Sequence, residues 1–194
     1  MSGPQRRAQL MRVARDVFAQ RGYAAASIEE IAAQAAVSKP VVYEHFGSKE
    51  AIYGSVVERE IDELVGRIKR ALVPGHPRRA ITHAVDAFLS YIEEEEAGFT
   101  ILVRDAPIGS GEASLPSVLD EIARSVEKLL ATELKERGYD PKMAPVLSRS
   151  LVGMVALPGQ WWLKVGRPRR EVVADHIVNL AWNGLAALEG REST

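Results

Sequence analysis

The chain of 194 residues contains no cysteine. Disulfide bonds, thiolate metal sites and cysteine nucleophiles are therefore excluded, and a reducing compartment is favoured. No stretch approaches the roughly 20 consecutive apolar residues that a membrane-spanning helix needs. The polar and basic first residues also do not contain the apolar run of a signal peptide. We therefore expect a cytoplasmic protein that does not enter a membrane.

The chain also has almost no net charge, at −1, so its overall charge does not indicate a polyanionic partner. The charges are nevertheless divided unevenly. Residues 1–50 hold seven Lys or Arg against five Asp or Glu, whereas the remaining residues hold 18 against 21. The positive charges at the front of the chain can meet a polyanion or face solvent on a helix; most come from Arg6, Arg7, Arg12, Arg15 and Arg21.

Strand-like alternation and internal repeats are absent from the sequence, and apolar residues recur at helical spacing instead. Hydrophobic residues make up 46% of the chain, which is enough for a substantial core. Helix-capping residues and the positions of Gly and Pro then predict an all-α protein. The predicted helices cover about 5–21, 28–35, 39–46, 48–72, 77–95, 99–105, 115–137, 141–164 and 169–188.

The third predicted helix is short and well delimited. Ser38 can cap it by accepting a backbone N–H, and Pro40 suits its first turn, where a missing N–H costs nothing. Gly47 ends the helix, and Ser48 caps the next one. These four residues predict a helix that presents a free N-terminus.

The two faces of this short helix differ in character. Val42 and Phe46 lie four residues apart and should face inward. The outward face is rich in hydrogen-bonding groups, which can dock on DNA phosphates while the first residues meet base edges. An ordinary amphipathic helix with a solvated face explains the same pattern. The outward residues are Lys39, Val41, Tyr43, Glu44 and His45.

The segments around this helix indicate a helix-turn-helix module. The first helix should stop at Gly22, and Ser27 with Glu30 forms a capping box at the start of the second helix. A helix, a short helix, a tight turn and a further short helix is the layout of such a module. Over about residues 8–55 the chain resembles the DNA-binding domain of the TetR family of bacterial regulators. The resemblance lies in the first helix and in Ser27-Ile28-Glu29-Glu30-Ile31-Ala32, Val37-Ser38-Lys39, Val42-Tyr43, His45-Phe46 and Ser48-Lys49-Glu50.

The resemblance implies that some residues of this module bind DNA phosphates and that others contact bases. Ser38 is a further candidate DNA contact. Positions that match Ser27, Tyr43, His45 and Lys49 grip phosphates in the family, and those that match Lys39, Pro40, Val41 and Glu44 lie over bases. The chemistry agrees, because hydroxyl, imidazole and ammonium groups suit phosphate oxygens, and an ammonium can also donate to guanine O6 or N7.

Two acidic residues stand out in this region. Phosphates repel the Glu44 carboxylate, whereas a cytosine amino group can donate a hydrogen bond to it. Glu44 can therefore contribute to specificity by disfavouring DNA sequences that lack such a cytosine. Glu29, at the start of the second helix, is expected to stabilise the helix dipole.

The resemblance further implies a helix-turn-helix DNA-binding domain over residues 1–50 and a larger helical ligand-binding and dimerisation domain over residues 51–194. In the family, the helix that corresponds to the one following Ser48 transmits ligand binding by changing the separation of the two DNA-reading helices of a dimer, and the resemblance implies the same role here. We expect a homodimer that binds a palindromic double-stranded DNA operator, with its two reading helices about 34 Å apart. We favour a repressor that a small-molecule effector releases.

Two groups of residues in the second domain are candidates by position. The first group lies on helices that enclose small molecules in the family. Packing in the hydrophobic core explains the same residues equally well. We expect an elongated hydrophobic or aromatic ligand, bound by Phe88, Tyr91, Phe99, Leu102, Arg104, Met154, Trp161 and Trp162. The family forms a four-helix dimer interface from its last two helices, although packing inside one subunit is the alternative. The interface candidates are Leu147, Leu151, Val173, Ile177, Leu180, Ala181, Gly184 and Leu188.

Other functional classes have weaker support. His83 with Asp86, and His176 with Asn179, lie one turn apart, but neither pair has a third ligand nearby in the sequence. We therefore expect no metal, no cofactor and no catalytic site.

One alternative is a helical ligand sensor that acts through a protein partner, supported by Glu44 and the near-neutral front of the chain. Another is a transcriptional activator that uses the same DNA contacts.

Overall fold

A computed structural model describes residues 2–72, 76–104 and 115–186. These residues contain no β-strand, and none of their helices combines the length and hydrophobicity that a membrane crossing requires. The predicted all-α fold is confirmed. The helices are α1 (Gly3–Ala25), α2 (Ile28–Gln34), α3 (Lys39–Phe46), α4 (Lys49–Ala71), α5 (Pro77–Glu94), α6 (Glu96–Val103), α7 (Leu115–Glu136), α8 (Ala144–Val165) and α9 (Arg170–Ala186), with a 3-10 turn at Pro141–Met143.

Glycines interrupt the helices where the sequence predicts. Gly47 follows α3 with φ 77°, and its N–H donates to the Tyr43 carbonyl. Gly22 has φ 78° and ψ 163°, values that a residue with a side chain rarely adopts. It breaks α1 as predicted, but the chain resumes a helical turn that ends at Ala25.

The predicted helix caps form in part. The Ser48 hydroxyl accepts from the Ala51 N–H at 3.1 Å, and the Ser27 hydroxyl accepts from the Glu30 N–H at 3.1 Å. The Glu30 carboxylate pairs with Arg21 at 3.2 Å, so only one half of the predicted capping box is present. The prediction that Ser38 caps α3 is wrong, because its side chain makes no capping hydrogen bond.

The chain divides into two compact units. The first contains the residues up to Glu63 together with the segment from Glu95 to Leu115, and therefore groups α6 with α1, α2 and α3. The second contains Leu64–Glu94 and the chain from Pro116 onward. The predicted division at residue 50 concerns functional domains and stays a prediction.

An ion-pair network connects three helices of the first unit. The Arg15 guanidinium on α1 lies 2.6 Å from the Glu95 carboxylate at the start of α6 and 3.7 Å from Glu60 on α4. Glu60 is only 3% exposed, and Arg15 is mostly buried. The Arg15 charge is therefore engaged in the packing of the first unit and is not one of the freely exposed cations at the front of the chain.

Close packing of α5, α8 and α9 forms the centre of the second unit. At Gly159 on α8, a Cβ atom would lie 2.5 Å from Cε1 of Phe88 and 2.9 Å from Cδ1 of Ile92 on α5. Phe88 and Ile92 are both buried. Glycine therefore permits α8 to approach α5 at this point.

We expect Gly159→Ala to lower the free energy of unfolding by about 1–2 kcal/mol, because the added methyl group displaces a buried ring. Gly153→Ala is the matched control, since no heavy atom lies within 4 Å of its added Cβ in the same helix. The control should be neutral or stabilising by up to about 1 kcal/mol through helix propensity. Urea unfolding at one protein concentration measures both variants, and equal midpoints would contradict the packing argument.

Candidate nucleic-acid interface and ligand cavity

The helix α3 presents the surface that its sequence predicts. Val42 and Phe46 are buried, whereas Lys39, Tyr43 and Glu44 are exposed. Val41 and His45 are half-buried at the edges, and Pro40 is exposed in the first turn. The candidate base-reading and phosphate-binding side chains on this helix thus lie outside the stripe that Val42 and Phe46 bury.

The turn before α3 is fixed by backbone hydrogen bonds. The Val37 N–H donates to the Ala32 carbonyl at 2.9 Å, and Ala36 adopts φ 53°. On α1, the Gln9 side-chain amide donates to the Ala35 carbonyl at 3.2 Å. These contacts set the direction in which α3 leaves the turn.

Arg7 holds the other end of α3, a role that sequence reasoning missed. Its guanidinium donates to the His45 carbonyl at 2.8 Å and to the Ser55 hydroxyl at 3.3 Å, and it lies 4.1 Å from the Phe46 ring centroid. A cation at the last carbonyls of a helix is favoured by the helix dipole. The sequence shows only an arginine at the front of α1, with nothing that indicates this partner.

The candidate phosphate ligands lie at helix starts and on the exposed face. The Ser27 hydroxyl accepts the capping hydrogen bond described above but keeps its own O–H to donate. The Lys49 ammonium donates to the Ala24 carbonyl at 3.2 Å and lies 4.6 Å from the Tyr23 ring centroid. The ammonium has further N–H groups, which suit a phosphate.

Tyr23 is itself fixed below Lys49. Its hydroxyl donates to the Glu50 carboxylate at 2.7 Å, and its ring contacts the rings of Phe18 and Tyr53. Burial and the hydrogen bond from its hydroxyl to Glu50 raise the pKa of Tyr23 to about 12. The phenol therefore stays protonated even at alkaline pH where an ordinary tyrosine ionises, and its hydrogen bond to Glu50 holds the Tyr23 ring under Lys49.

Lys39 forms an ion pair with Glu29 on α2. Both side chains are largely exposed, and the Lys39 ammonium also lies 5.7 Å from the Tyr43 ring centroid. The hydrogen bond from Lys39 lowers the pKa of Glu29, and the same bond raises the pKa of Lys39. The expected dipole role of Glu29 stays a prediction, but its position in the first turn of α2 agrees with it.

A large apolar cavity lies in the second unit. It has a volume of about 580 Å³ and is lined by residues from α4, α5, α7, α8 and α9. Its walls are mainly aliphatic, with aromatic rings from Phe88 and Trp182. Polar groups gather at the end of α7 and just beyond it, from Thr132, Glu133, Glu136, Arg137 and Tyr139.

Only one of the predicted ligand residues, Phe88, lines this cavity among the residues that the structure describes. Phe99 and Leu102 are buried in the first unit, where Arg104 donates to the Ala19 carbonyl. Whether each of these residues touches a ligand stays a prediction.

The remaining ligand candidates lie in the second unit but outside the cavity lining. Tyr91 is buried, with the Arg67 guanidinium 5.4 Å from its ring centroid. The Trp162 indole donates to the Pro168 carbonyl at 2.7 Å, Met154 is half-buried, and Trp161 is exposed.

The predicted dimer residues fall into different environments. Val173, Ile177 and Ala181 are buried within the unit, and Leu147 and Leu151 line the cavity. Leu180 is 64% exposed and Gly184 is also exposed, whereas Leu188 lies outside the described residues.

A metal or catalytic centre gains no support from the geometry. Within the described ranges no three His, Asp or Glu side chains come together as a metal site would require. On α9, the His176 ring bonds to the Val172 carbonyl at 2.9 Å, and the Asn179 amide oxygen accepts from Arg78 at 3.3 Å. Of the other pair, on α5, the Asp86 carboxylate lies 3.8 Å from the Arg170 guanidinium.

Comparison with known proteins covers both units. A family model described as bacterial regulatory proteins of the tetR family matches residues 10–56. A second model, described as a tetracyclin repressor-like C-terminal domain, matches residues 77–184. The first match contains α2, α3 and the start of α4, and the second contains the helices that line the cavity from α5 onward.

Individual proteins agree with these matches. The HTH-type transcriptional activator FasR of Mycolicibacterium smegmatis is 31% identical over 186 residues, which are 94% of this chain and 84% of that protein. The HTH-type transcriptional repressor Rv3405c of Mycobacterium tuberculosis is 38% identical over 79 residues, 41% of this chain and 40% of that protein. The crystal structure of a TetR-like regulator from Rhodococcus sp. RHA1 has a TM-score of 0.80 and 28% identity, and the match covers 97% of this chain and 100% of that one. The chain therefore belongs to the TetR family of bacterial transcriptional regulators.

Proposed function

We propose that this regulator binds a palindromic operator as a homodimer and responds to a small apolar effector. The observation that carries the proposal is α3, whose exposed face offers Lys39, Tyr43 and Glu44 while Val42 and Phe46 hold its opposite face in the core. Lys39 at the N-terminal end reads a base edge, and Tyr43 and Lys49 bind phosphates. Ser27, Ser38 and His45 add phosphate contacts, and Pro40 and Val41 contact thymine methyl groups.

We expect Tyr43→Phe and Lys49→Ala to weaken binding to specific and scrambled duplexes by similar factors, because phosphate contacts carry no sequence information. Lys49→Ala should also reduce the slope of log affinity against log salt by about 0.9 for each phosphate that the lysine would otherwise neutralise. Lys39→Ala should instead relax the preference at one base pair of each half-site. Fluorescence anisotropy on duplexes with single base-pair changes measures these effects.

An exposed lysine in the second unit, Lys128, provides the control for this series. Lys128→Ala should leave affinity and salt slope unchanged. Uniform effects of Lys39→Ala on all duplexes would contradict its assignment to a base edge.

The homodimer proposal rests on apolar side chains that remain exposed on the last two helices. Leu157 and Trp161 on α8 are 70% and 51% exposed, and Leu180 on α9 is 64% exposed. The two helices contact one another. Val173 and Ile177 are already buried within the subunit. We therefore place the interface at the exposed edge of the same stripe of α9, around Leu180 and Gly184.

We expect Leu180→Glu to shift the protein from dimer to monomer, because a carboxylate would be buried without a partner in the proposed interface. Met143→Glu is the control, since Met143 is also about half exposed but precedes α8. Sedimentation velocity at micromolar concentration measures the change. A wild-type protein that sediments as a monomer, or two variants that behave alike, would argue against this interface.

The effector proposal rests on the cavity of the second unit. Its volume of about 580 Å³ and its aliphatic walls suit an elongated apolar molecule, with the polar groups near Arg137 and Tyr139 available to a polar end. Ile68 and Leu72 near the end of α4 line the cavity, and the same helix begins at Lys49. We infer that occupancy of the cavity acts on DNA binding through α4 by population shift.

We expect Ala84→Phe to reduce the binding of 1-anilinonaphthalene-8-sulfonate, a dye with apolar rings and one anionic sulfonate, at least several-fold, because the new ring occupies the cavity that Ala84 lines. Thr82→Phe, at an exposed position of the same helix, is the control and should bind the dye as the wild type does. Dye fluorescence titration measures both. Binding that Ala84→Phe leaves intact would exclude the cavity as the ligand site.

The sign of regulation is a separate part of the proposal. FasR, which matches 94% of the chain, is named an activator, and Rv3405c, which matches 79 residues, is named a repressor. The same DNA contacts serve both outcomes, because the sign depends on where the operator lies relative to the promoter. We retain repression as the proposal, and a promoter fusion whose expression rises when the protein is supplied would reverse it.

A further inference from the structure

The ion pair between Glu29 and Lys39 joins the first turns of α2 and α3 across the helix-turn-helix turn. Their side chains are 62% and 45% exposed. Ion pairs exposed to this extent contribute little to folding, because water screens the charges and ordering the two side chains costs entropy. The pair therefore needs an explanation other than the stability of the fold.

The position of the pair is unfavourable for general DNA affinity. Lys39 is the cation at the start of the exposed α3 face, and Glu29 places a negative charge next to it, where phosphates would approach. A surface that evolved only to attract phosphates would leave this ammonium without a carboxylate partner. The arrangement therefore favours discrimination between DNA sequences over high affinity for DNA in general.

We propose that Glu29 is a positioning residue that sets sequence specificity by holding the Lys39 ammonium for a base edge and away from phosphates. The proposal rests on the DNA-reading role proposed for α3. An ammonium has three N–H donors. Glu29 accepts one of them, and the other two remain for the O6 and N7 acceptors of a guanine.

The same pair penalises incorrect sequences. Where no guanine is presented, Lys39 can gain a new partner only by turning to a phosphate, which leaves the Glu29 carboxylate unpaired beside the DNA. Specificity then comes from a cost imposed on the wrong duplex as well as from a contact with the right one. The pKa of Glu29 is lowered and that of Lys39 is raised by their hydrogen bond, so both groups are charged at neutral pH.

The test compares wild-type protein with Glu29→Gln on a duplex that the wild type selects from a randomised library and on a scrambled duplex. We expect Glu29→Gln to bind the scrambled duplex more tightly and to lower the ratio of specific to non-specific affinity about tenfold. Its salt slope on the scrambled duplex should steepen by about 0.9 for each freed Lys39 that binds a phosphate, hence by about two for a dimer. Unchanged circular dichroism would show that the exposed substitution leaves the fold intact.

Glu30→Gln is the matched control, because it removes the same charge from the neighbouring position of α2, where the carboxylate pairs with Arg21. It should change both affinities by the same factor and leave their ratio unaltered. In a Lys39→Ala background, Glu29→Gln should cause no further loss of specificity, because its action passes through Lys39.

The outcomes separate this inference from the proposed function. If the wild type enriches no sequence from the library, sequence-selective DNA binding fails and the positioning role fails with it. If the wild type is selective but Glu29→Gln and Glu30→Gln alter both duplexes alike, only the role of Glu29 is overturned. A loss of specificity confined to Glu29→Gln, and absent without Lys39, supports the inference.

Discussion

The burial of one apolar stripe determines how α3 is presented. An isolated helix of eight residues is unstable in water, because the cost of starting a helix exceeds what so few hydrogen bonds return. Val42 and Phe46 supply the missing stability by packing into the first unit. Their burial also fixes the rotation of the helix, and this rotation decides that Lys39, Tyr43 and Glu44 face outward.

Polar contacts then refine this presentation at both ends of the helix. Arg7 binds the C-terminal carbonyl of His45, Gln9 binds the Ala35 carbonyl before the turn, and Glu29 restrains Lys39. Each contact adds little free energy at the surface, but together they limit the directions that the exposed side chains of α3 can take. The functional value of α1 and α2 thus lies in the orientation that they impose on α3.

Much of this arrangement can be predicted from the sequence, because its causes are local. The helix-breaking glycines, the caps at Ser27 and Ser48, and the two faces of α3 follow from residues within a turn of one another. The failed cap at Ser38 shows the limit of such signals. A suitable residue in a suitable position does not ensure that its hydroxyl turns toward the helix.

The long-range contacts could not be predicted in the same way. Arg15 pairs with Glu95 across 80 positions, and Arg7 reaches His45 across 38. Hydrophobic periodicity predicts that residues such as Phe99 are buried, but not which helices cover them. The resemblance to the TetR family made Phe99 and Arg104 ligand candidates, but it did not indicate that their segment groups with the first unit. The cavity likewise could not be predicted from local sequence patterns, because its lining comes from five different helices.

We propose above that this regulator binds DNA as a dimer and with sequence selectivity. The most direct test is fluorescence anisotropy of the purified protein on DNA from upstream of its own gene, with a scrambled duplex at matched salt concentrations. We expect tight binding of two chains per duplex, with the upstream DNA preferred at every salt concentration. Weak and equal binding to both duplexes would contradict dimeric, sequence-selective DNA binding, provided that two further checks give the same result. The first repeats the measurement after unfolding and refolding to remove any bound ligand. The second uses duplexes selected from a random library.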